Sequence, residues 1–420
     1  MKLAVVGAGS TYTPEVIDGI VQLRNLLRVD DLHLHDTNEQ RLEIVAGLAR
    51  RMLARAGHPT RLEATARLED AVEGADAVLI QIRVGGQAAR MVDESVPVAC
   101  GCLGQETTGF GGLAKALRTV PVVLGIADDV RQLAPDAWIV DFTNPVGIVT
   151  KALLDEGHKA VGLCSAAMVF QRHFAKVLDV EPGRIELDHL GLNHLTWEVG
   201  VRLDGVDVLP TLLDDAYVER VARATGLTPA IVQRLGVVPS YYLHYFYEHD
   251  AVVDEERRSK SRAEVVSEIE RELLHLYADE ELDEKPELLK QRGGAGYSEA
   301  AVQLVASLFG SAGGDRHVIN LRNDGALPFL ADDAVVEVPA HVDAGGVRPV
   351  ALPELSVLER GLVAHVSAYE ELALDAALRG GRERVFRALL AHPLIGQVDV
   401  AETLADRMID ANRRFLPWAS

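Results

Sequence analysis

The chain has 420 residues, of which 48% are hydrophobic, so it is long and apolar enough to bury a large core. Its formal net charge of -21 at pH 7 argues against a broad nucleic-acid-binding surface, and no uninterrupted apolar run reaches membrane-spanning length. Three cysteines are too few for a disulfide framework, so we expect a cytoplasmic protein that binds neither nucleic acid nor membrane.

The first 160 residues alternate between strand-like and helix-like segments. Strand patterns occupy residues 2–6, 31–36 and 60–65, and helical patterns occupy residues 14–28 and 39–56. The start, "MKLAVVGAGS", therefore indicates a strand and a glycine turn rather than a signal peptide. Two further apolar runs, "DAVLIQIR" and "WIVDFTNP", are separated by helical patterns. This alternation predicts an N-terminal Rossmann-type domain, an α/β fold with a doubly wound parallel sheet.

The second half of the chain has a different pattern. Residues 185–205 alternate as antiparallel strands do, and residues 254–278 and 296–309 have helical patterns. A β-rich insert, residues 334–350, precedes a mostly helical C-terminus. We therefore predict an α+β C-terminal domain packed on the first domain. The predicted domains are residues 1–165 and 166–420.

The turn after the first strand carries part of a dinucleotide-binding motif. Gly7 and Gly9 match its first two glycines, whereas Tyr12 stands at the third position. The second strand ends in Asp36, which can accept hydrogen bonds from ribose hydroxyls and would repel a 2'-phosphate, favouring NAD over NADP. A glycine turn that binds nothing is the alternative. The candidate cofactor-binding residues are Gly7, Gly9, Ser10, Thr11 and Asp36.

Several longer motifs point to one family. They include "GAGSTYTPE", "GQETTGFGG", "DFTNPVGIVTKAL", "VGLC", "GLNHLTW", "VPSYYLHYFY", "RAEVVSEIERELLHLY" and "RGGAGYSEAA". In order and spacing they resemble the NAD- and metal-dependent glycosidases of glycoside hydrolase family 4, most closely its 6-phospho-β-glucosidase branch. The resemblance covers nearly the whole chain. It implies a fold similar to lactate and malate dehydrogenases, and a homodimer or homotetramer.

The resemblance also implies a reaction. These enzymes are exceptions to the carboxylate-pair mechanism of other glycosidases. A hydride passes from C3 of the sugar to NAD+, and a divalent metal, Mn2+ in this family, polarises the resulting ketone. A base then removes the acidified C2 proton and the leaving group departs from C1. Water adds and the hydride returns, so the cofactor is regenerated in each turnover.

The family pattern assigns metal and catalytic roles to four residues. Cys164, at an apparent helix start that favours a thiolate, and His194 are the expected metal ligands. Taken alone, each would be interpreted as a buried structural residue. Tyr242 is the expected base, although three other tyrosines of its motif leave the register open by one position. Glu106 is the expected acid that supports deprotonation of the base.

The resemblance further implies a pocket for a phosphorylated sugar. Arg262 lies in the basic segment "RRSKSR", and a guanidinium group suits a sugar 6-phosphate. Ser165 stands where β-type relatives usually carry Asn and α-type relatives carry Asp, so an α-glucosidase assignment is disfavoured. The candidate substrate-binding residues are Arg90, Asn144, Ser165, Asn193, Arg262 and Arg292.

Three other functions stay open at this level. The chain is consistent with another specificity of the same family, for a 6-phospho-galactoside, a non-phosphorylated sugar or a uronic acid. A hydroxy-acid dehydrogenase on the same fold would need a catalytic histidine–aspartate pair, which the sequence does not show convincingly. A non-catalytic NAD-binding sensor would have no need of the four metal and catalytic residues together.

Overall fold

The structure is a computed structural model that describes residues 1–293, 296–310 and 315–419. Two residues of the "RGGAGYSEAA" motif, 294 and 295, lie outside the described part of the chain. The N-terminal elements are β1 (Lys2–Val6), α1 (Thr13–Gln22), β2 (Asp31–His35), α2 (Glu39–Arg55), β3 (Arg61–Thr65), α3 (Leu68–Val72), β4 (Ala77–Ile80), α4 (Gly86–Val98), α5 (Gly109–Leu133), β5 (Trp138–Asp141), α6 (Val146–Asp155), β6 (Ala160–Gly162) and α7 (Ala166–Leu178).

The second half mixes antiparallel strands with helices. Its elements are β7 (Ile185–Leu192), β8 (Leu195–Leu203), β9 (Val206–Asp207), α8 (Leu209–Leu212), α9 (Val218–Ala222), α10 (Pro229–Leu235), β10 (Val238–Pro239), α11 (His244–Tyr247), α12 (His249–Glu256), α13 (Arg262–Tyr277), α14 (Tyr297–Phe309), β11 (Asp315–Arg322), β12 (Val335–Asp343), β13 (Gly346–Pro349), α15 (Val357–Arg379), α16 (Arg382–Ala391) and α17 (Val398–Asn412).

One sheet joins the two halves. Its order is β10-β8-β7-β12-β11-β6-β5-β4-β1-β2-β3, with β13 paired to β12 and β9 to β8. The strands from β6 to β3 are parallel and the remaining pairs are antiparallel. The strand order reverses at β1, where open parallel sheets bind their ligands. The predicted doubly wound sheet with an α+β second half is confirmed.

The predicted helix over residues 254–278 is wrong as a single element. The chain forms two helices, α12 and α13, and residues 257–261 separate them. Ser261 ends the gap with a capping box, in which its hydroxyl accepts from the Glu264 N–H and the Glu264 carboxylate accepts from the Ser261 N–H. The helical pattern continues across the gap because the intervening residues are mostly charged and exposed.

The longest helix lies in the protein core. α5, Gly109–Leu133, is by length and composition able to cross a membrane, but 72% of its most apolar window is buried against other elements. Its neighbours include α15 and α6. Burial by protein accounts for its apolar sequence, which is therefore only weak evidence for a membrane span.

Candidate active site

The glycine turn lies at the carboxyl end of β1, beside the start of α1. Gly7 has φ +90, and a Cβ there would lie 2.8 Å from the Gln81 carbonyl oxygen, so a larger residue would displace backbone. Ser10 accepts a hydrogen bond from the Tyr12 N–H at 3.2 Å, and the Thr11 hydroxyl is buried without a partner in the described structure. The turn is thus closed by its own atoms, with the N–H groups of the α1 N-terminus beside it.

Asp36 lies against the second glycine of the turn. Its carboxylate accepts the Gly9 N–H at 2.8 Å and the Asn38 N–H at 2.8 Å. A Cβ at Gly9 would lie 2.8 Å from the Asp36 carboxyl group, so glycine permits this approach. Arg41 donates to the Gly9 carbonyl at 3.0 Å. The five predicted cofactor-binding residues therefore lie in or directly beside one turn, and the arrangement fits a dinucleotide.

Three predicted residues meet at a second place. The rings of His194 and Tyr242 are stacked, with centroids 3.7 Å apart. Cys164, buried between the end of β6 and the start of α7, interacts electrostatically with Tyr242. Tyr242 is thereby the tyrosine of its motif that stacks on one candidate metal ligand and interacts electrostatically with the other, whereas Tyr241 is half-exposed.

His194 has the properties of a neutral ligand. It occupies the two-residue turn between β7 and β8 with φ +62, and burial lowers its pKa to about 4. Its Nδ1 is 2.8 Å from the Thr107 hydroxyl, and its Nε2 is buried without a hydrogen-bond partner among residues 1–293, 296–310 and 315–419. A bare ring nitrogen and a cysteine thiol that both lie near Tyr242 are donors of the kind that fits a divalent metal.

Glu106 lies in a cluster of three cations. It pairs with Arg83, with the Lys115 ammonium at 2.9 Å and with Arg90 at 3.3 Å. Burial alone would raise the pKa of Glu106, but the three cations hold it well below its usual value. Burial and Arg83 lower the pKa of Lys115 to about 8. Glu106 is thus a fixed anion at neutral pH rather than a proton donor.

The loop that carries Glu106 is pressed onto the start of α5. A Cβ at Gly111 would lie 2.2 Å from the Gln105 carbonyl oxygen, and one at Gly112 would lie 2.7 Å from the Thr107 carbonyl oxygen. The two glycines of "GFGG" therefore permit a close approach of backbone to backbone. This contact fixes the loop beside His194.

Arg90 and Arg262 are connected through Glu94. Arg90 donates to Glu94 at 2.7 Å, and the other Glu94 oxygen accepts the Ala263 N–H at 2.7 Å, at the N-terminus of α13. Arg262 is exposed and donates to the carbonyl oxygens of residues 291 and 292 at 2.9 and 3.1 Å. The predicted phosphate-binding arginine therefore lies at a helix start that is joined to the Glu106 cluster.

Arg292, a predicted substrate-binding residue, lies beside the glycine turn. Its guanidinium group is 5.5 Å from the centre of the Tyr12 ring and donates to Glu270 at 3.0 Å. Glu270 also pairs with Arg41, at 3.5 Å. Arg292 thus stands between the turn and Arg262, which donates to its carbonyl oxygen.

Two of the three remaining substrate candidates adjoin the candidate metal ligands in the chain. The Asn144 side-chain oxygen is buried and unpartnered in the described residues, two positions before α6 begins. Asn193 precedes His194 and donates to Glu337 at 2.8 Å. Ser165 follows Cys164, is buried, and forms no side-chain cap for α7. The sequence motifs named these residues but could not predict their hydrogen bonds.

Sequence reasoning missed a buried polar network behind the β7–β8 turn. His189 lies between Glu198, at 2.6 Å, and Glu337, at 3.0 Å. Glu337 also accepts from Asn193 and, at 2.9 Å, from Asn320. Burial alone would lower the pKa of His189, but the two carboxylates raise it to about 10. The available signal was Glu337, a charged residue inside the apolar strand "AVVEVPA".

Thr107, Arg83 and Lys115 were also missed as site residues. Thr107 and Lys115 stand in or just after the motif "GQETTGFGG", which pointed to this region without giving their roles. Arg83 follows the apolar run of β4, where the carboxyl end of a parallel strand is a signal for function.

Two family models match the chain. The model of the family 4 glycosyl hydrolases matches residues 2–180, and that of the family 4 glycosyl hydrolase C-terminal domain matches residues 189–395. The chain belongs to family 4 of the glycosyl hydrolases. The predicted family is confirmed.

Relatives within this family agree over their full length. A Bacillus subtilis protein named probable 6-phospho-beta-glucosidase is 38% identical, with 99% of this chain and 97% of the relative covered. A 6-phospho-beta-glucosidase from Thermotoga maritima, solved with manganese, NAD+ and glucose-6-phosphate, has a TM-score of 0.91 and 31% identity, with 99% of each chain covered.

The fold extends beyond family 4. A malate dehydrogenase from Salinibacter ruber has a TM-score of 0.57 at 18% identity and covers 90% of this chain and 98% of its own. This likeness shows the fold alone and confirms the predicted resemblance to the malate dehydrogenases.

Proposed function

We propose that the protein is a glycosidase that hydrolyses 6-phospho-β-glucosides and depends on NAD+ and a divalent metal, Mn2+ in first place. The observation that carries the proposal is that Tyr242 stacks on His194 and interacts electrostatically with Cys164, while the His194 Nε2 atom is buried and unpartnered among the described residues. Membership of family 4 and the names of the full-length relatives support the reaction and the β-linked, phosphorylated substrate.

The chain's own residues would divide the work as follows. Cys164 and His194 hold the metal, and the glycine turn with Asp36 holds the dinucleotide. When bound, these groups supply a hydride acceptor for C3 and a Lewis acid for the C3 oxygen. The Tyr242 phenolate removes the C2 proton, and Arg262 binds the 6-phosphate of the sugar.

Tyr242 needs positive charge beside it to act as this base. Burial raises the pKa of the Tyr242 phenol well above its usual value, and Cys164 and Glu106 add to the shift. A divalent cation held by the neighbouring residues opposes both effects, because it favours the anionic form of the phenol. Cys164 thus helps to keep the Tyr242 phenol protonated in the free protein. A metal ion held by Cys164 and His194 would instead favour the phenolate.

Ser165 supports the β assignment over the α assignment. A serine hydroxyl is not a carboxylic acid, so it cannot replace the aspartate of α-type relatives as a proton donor. Aryl leaving groups are stable enough as anions to depart without an acid, and they are the substrates of choice for a first assay.

The test is a panel of nitrophenyl glycosides, with and without a 6-phosphate, assayed with NAD+, Mn2+ and a thiol reductant. We expect hydrolysis of the 6-phospho-β-glucoside and its loss after metal chelation. Cys164→Ser should lower the rate by at least about 100-fold, since metal polarisation supplies several kcal/mol, while NAD+ binding stays measurable. Cys102→Ser, at a buried cysteine packed in the core, is the matched control and should keep activity.

Two results would contradict the proposal. Full activity after exhaustive chelation would remove the metal from the reaction. Faster hydrolysis of the unphosphorylated, galactosyl or uronic acid member of the panel would replace the substrate and keep the family chemistry.

A further inference from the structure

We infer that Gln105 and Thr107 are positioning residues that set the tautomer of His194, so that its Nε2 lone pair faces the metal ion. This inference rests on the metal site of the proposed function and adds residues outside the ligand pair. It follows from the directions of three hydrogen bonds, which the chemistry of the donors fixes one after another.

The first direction is fixed at Gln105. One terminal atom of the Gln105 side-chain amide is hydrogen-bonded to two backbone groups, the Thr107 N–H and, at 3.0 Å, the Thr108 N–H. Backbone N–H groups only donate, so this terminal atom is the amide carbonyl oxygen and acts as an acceptor. The amide orientation of Gln105 is therefore determined by the backbone of its own turn.

The second direction is fixed at Thr107. Its hydroxyl lies 2.8 Å from the Gln105 carbonyl oxygen, and a hydroxyl carries a single proton. Because the Gln105 oxygen only accepts, that proton lies between Thr107 and Gln105. The Thr107 oxygen can therefore offer only its lone pairs to any other partner, so it acts there as an acceptor.

The third direction follows at His194. Its Nδ1 is 2.8 Å from the Thr107 oxygen, which can only accept there, so Nδ1 carries the proton. A neutral imidazole has one N–H, and the other nitrogen is then a bare lone pair. That atom is the Nε2 that is buried without a partner in the described part of the chain. A metal binds through such a lone pair.

The orientation of the ring is fixed as well as its tautomer. Tyr242 stacks on one face of His194, at 3.7 Å between centroids and 15° between planes. Rotation of the ring would break both the stack and the hydrogen bond to Thr107. Partners of this kind, behind a metal-binding histidine, typically change metal affinity by about 10–100-fold when they are removed.

The test compares Thr107→Val, which removes the hydroxyl at constant shape, with Thr107→Ser, which keeps it. The affinity for Mn2+ alone is measured by electron paramagnetic resonance on the NAD+-bound protein, without turnover. We expect Thr107→Val to bind Mn2+ about 10–100-fold more weakly and Thr107→Ser to stay near the wild-type value. Thr119→Val, at a buried hydroxyl of α5 with no hydrogen-bond partner in the described structure, is the matched control and should leave Mn2+ affinity unchanged.

Nitrogen-15 NMR of the metal-free protein gives a second readout that a merely structural role would not change. The wild type should show His194 with the proton on Nδ1, and Thr107→Val should lose this preference. Wild-type Mn2+ affinity in Thr107→Val, or a proton on Nε2 in the wild type, overturns the inference. If His194→Ala also binds Mn2+ as the wild type does, the metal site of the proposed function fails with it.

Discussion

At the scale of single residues, the phenol of Tyr242 shows how burial and neighbouring charges control the ionisation of a side chain. It is buried, stacked on His194 and close to Cys164, so its pKa is raised and it keeps its proton in the free protein. Glu106 is in contrast held ionised by Arg83, Lys115 and Arg90. The region therefore contains a fixed anion and a phenol that keeps its proton in the free protein; a cation beside the phenol would favour its ionisation.

Tyr242→Phe should slow the exchange of the C2 proton of the substrate with solvent by about 100-fold or more, because the variant has no group to remove it. Substrate affinity should change little. Deuterium incorporation at C2, followed by NMR, measures the exchange. Tyr241→Phe, at the half-exposed neighbour, is the control and should exchange at the wild-type rate. Equal rates in Tyr242→Phe and the wild type would reject Tyr242 as the base.

At the scale of elements, a single row of residues connects the two segments that carry the candidate metal ligands. Gly191 of β7 pairs with Glu337 of β12, Glu337 with Asn320 of β11, and Asn320 with Gly162 of β6. Cys164 follows Gly162 by two residues and His194 follows Gly191 by three. Hydrogen bonds from Asn320 and Asn193 to Glu337 reinforce the row, so the sheet itself positions both segments.

The positive charge of His189, which pairs with Glu337 of this row, predicts that the protein loses stability at alkaline pH. The pKa of His189 is about 10 in the folded protein and about 6.5 in an unfolded chain. A group whose pKa is raised by folding contributes stability that is fully present below its pKa in the unfolded chain. This contribution is lost as pH rises through the pKa of the group in the folded protein. The free energy of unfolding should therefore fall between pH 7 and 10, by at most about 1.4 kcal/mol per pH unit for this one proton.

Urea unfolding of His189→Gln against the wild type at several pH values measures this contribution. The variant should be less stable at pH 7 and should lose less stability towards pH 10. His341→Gln, at an exposed histidine of β12, should keep the wild-type slope. A slope in His189→Gln as steep as in the wild type would assign the alkaline loss to other groups.

At the scale of the whole molecule, the C-terminal helix is tied to the helices that carry the site. Arg118 of α5 donates to both oxygens of Asp93 in α4, at 2.9 and 2.6 Å, and also to Asn412 at the end of α17. Arg118 and Asp93 are buried. Lys115 and Arg90, three residues before Arg118 and Asp93, belong to the Glu106 cluster. The end of α17 is therefore connected to the candidate site through buried hydrogen bonds.

Asp93→Asn should destabilise the protein by about 3–5 kcal/mol, because it leaves a buried guanidinium group without its anion. Chemical denaturation measures the loss. Asp410→Asn breaks the exposed pair between Asp410 and Arg413 at the end of the same helix, and it should cost about 0–1 kcal/mol. Similar losses in the two variants would mean that Arg118 is balanced by other groups.

Much of the fold followed from the sequence because local patterns report local structure. The strand at residues 2–6, the glycine turn and Asp36 were predicted as one unit, since a few neighbouring residues determine such a turn. The family motifs also named Cys164, His194 and Tyr242, whose roles remain predictions. The gap between α12 and α13 was missed, because helical periodicity is insensitive to a short break whose residues are solvated.

By itself, the sequence determined the family, the parallel sheet with its glycine turn, and the residue types available for metal, base and phosphate. Only the tertiary structure decided which of them meet. It stacked Tyr242 rather than Tyr241 on His194, joined Gln105 and Thr107 to that histidine, and aligned Asn320 with Glu337 between the strands that precede the two candidate metal ligands. The physical reason is that these contacts join residues far apart in the chain, and their hydrogen-bond directions depend on partners that no local pattern records.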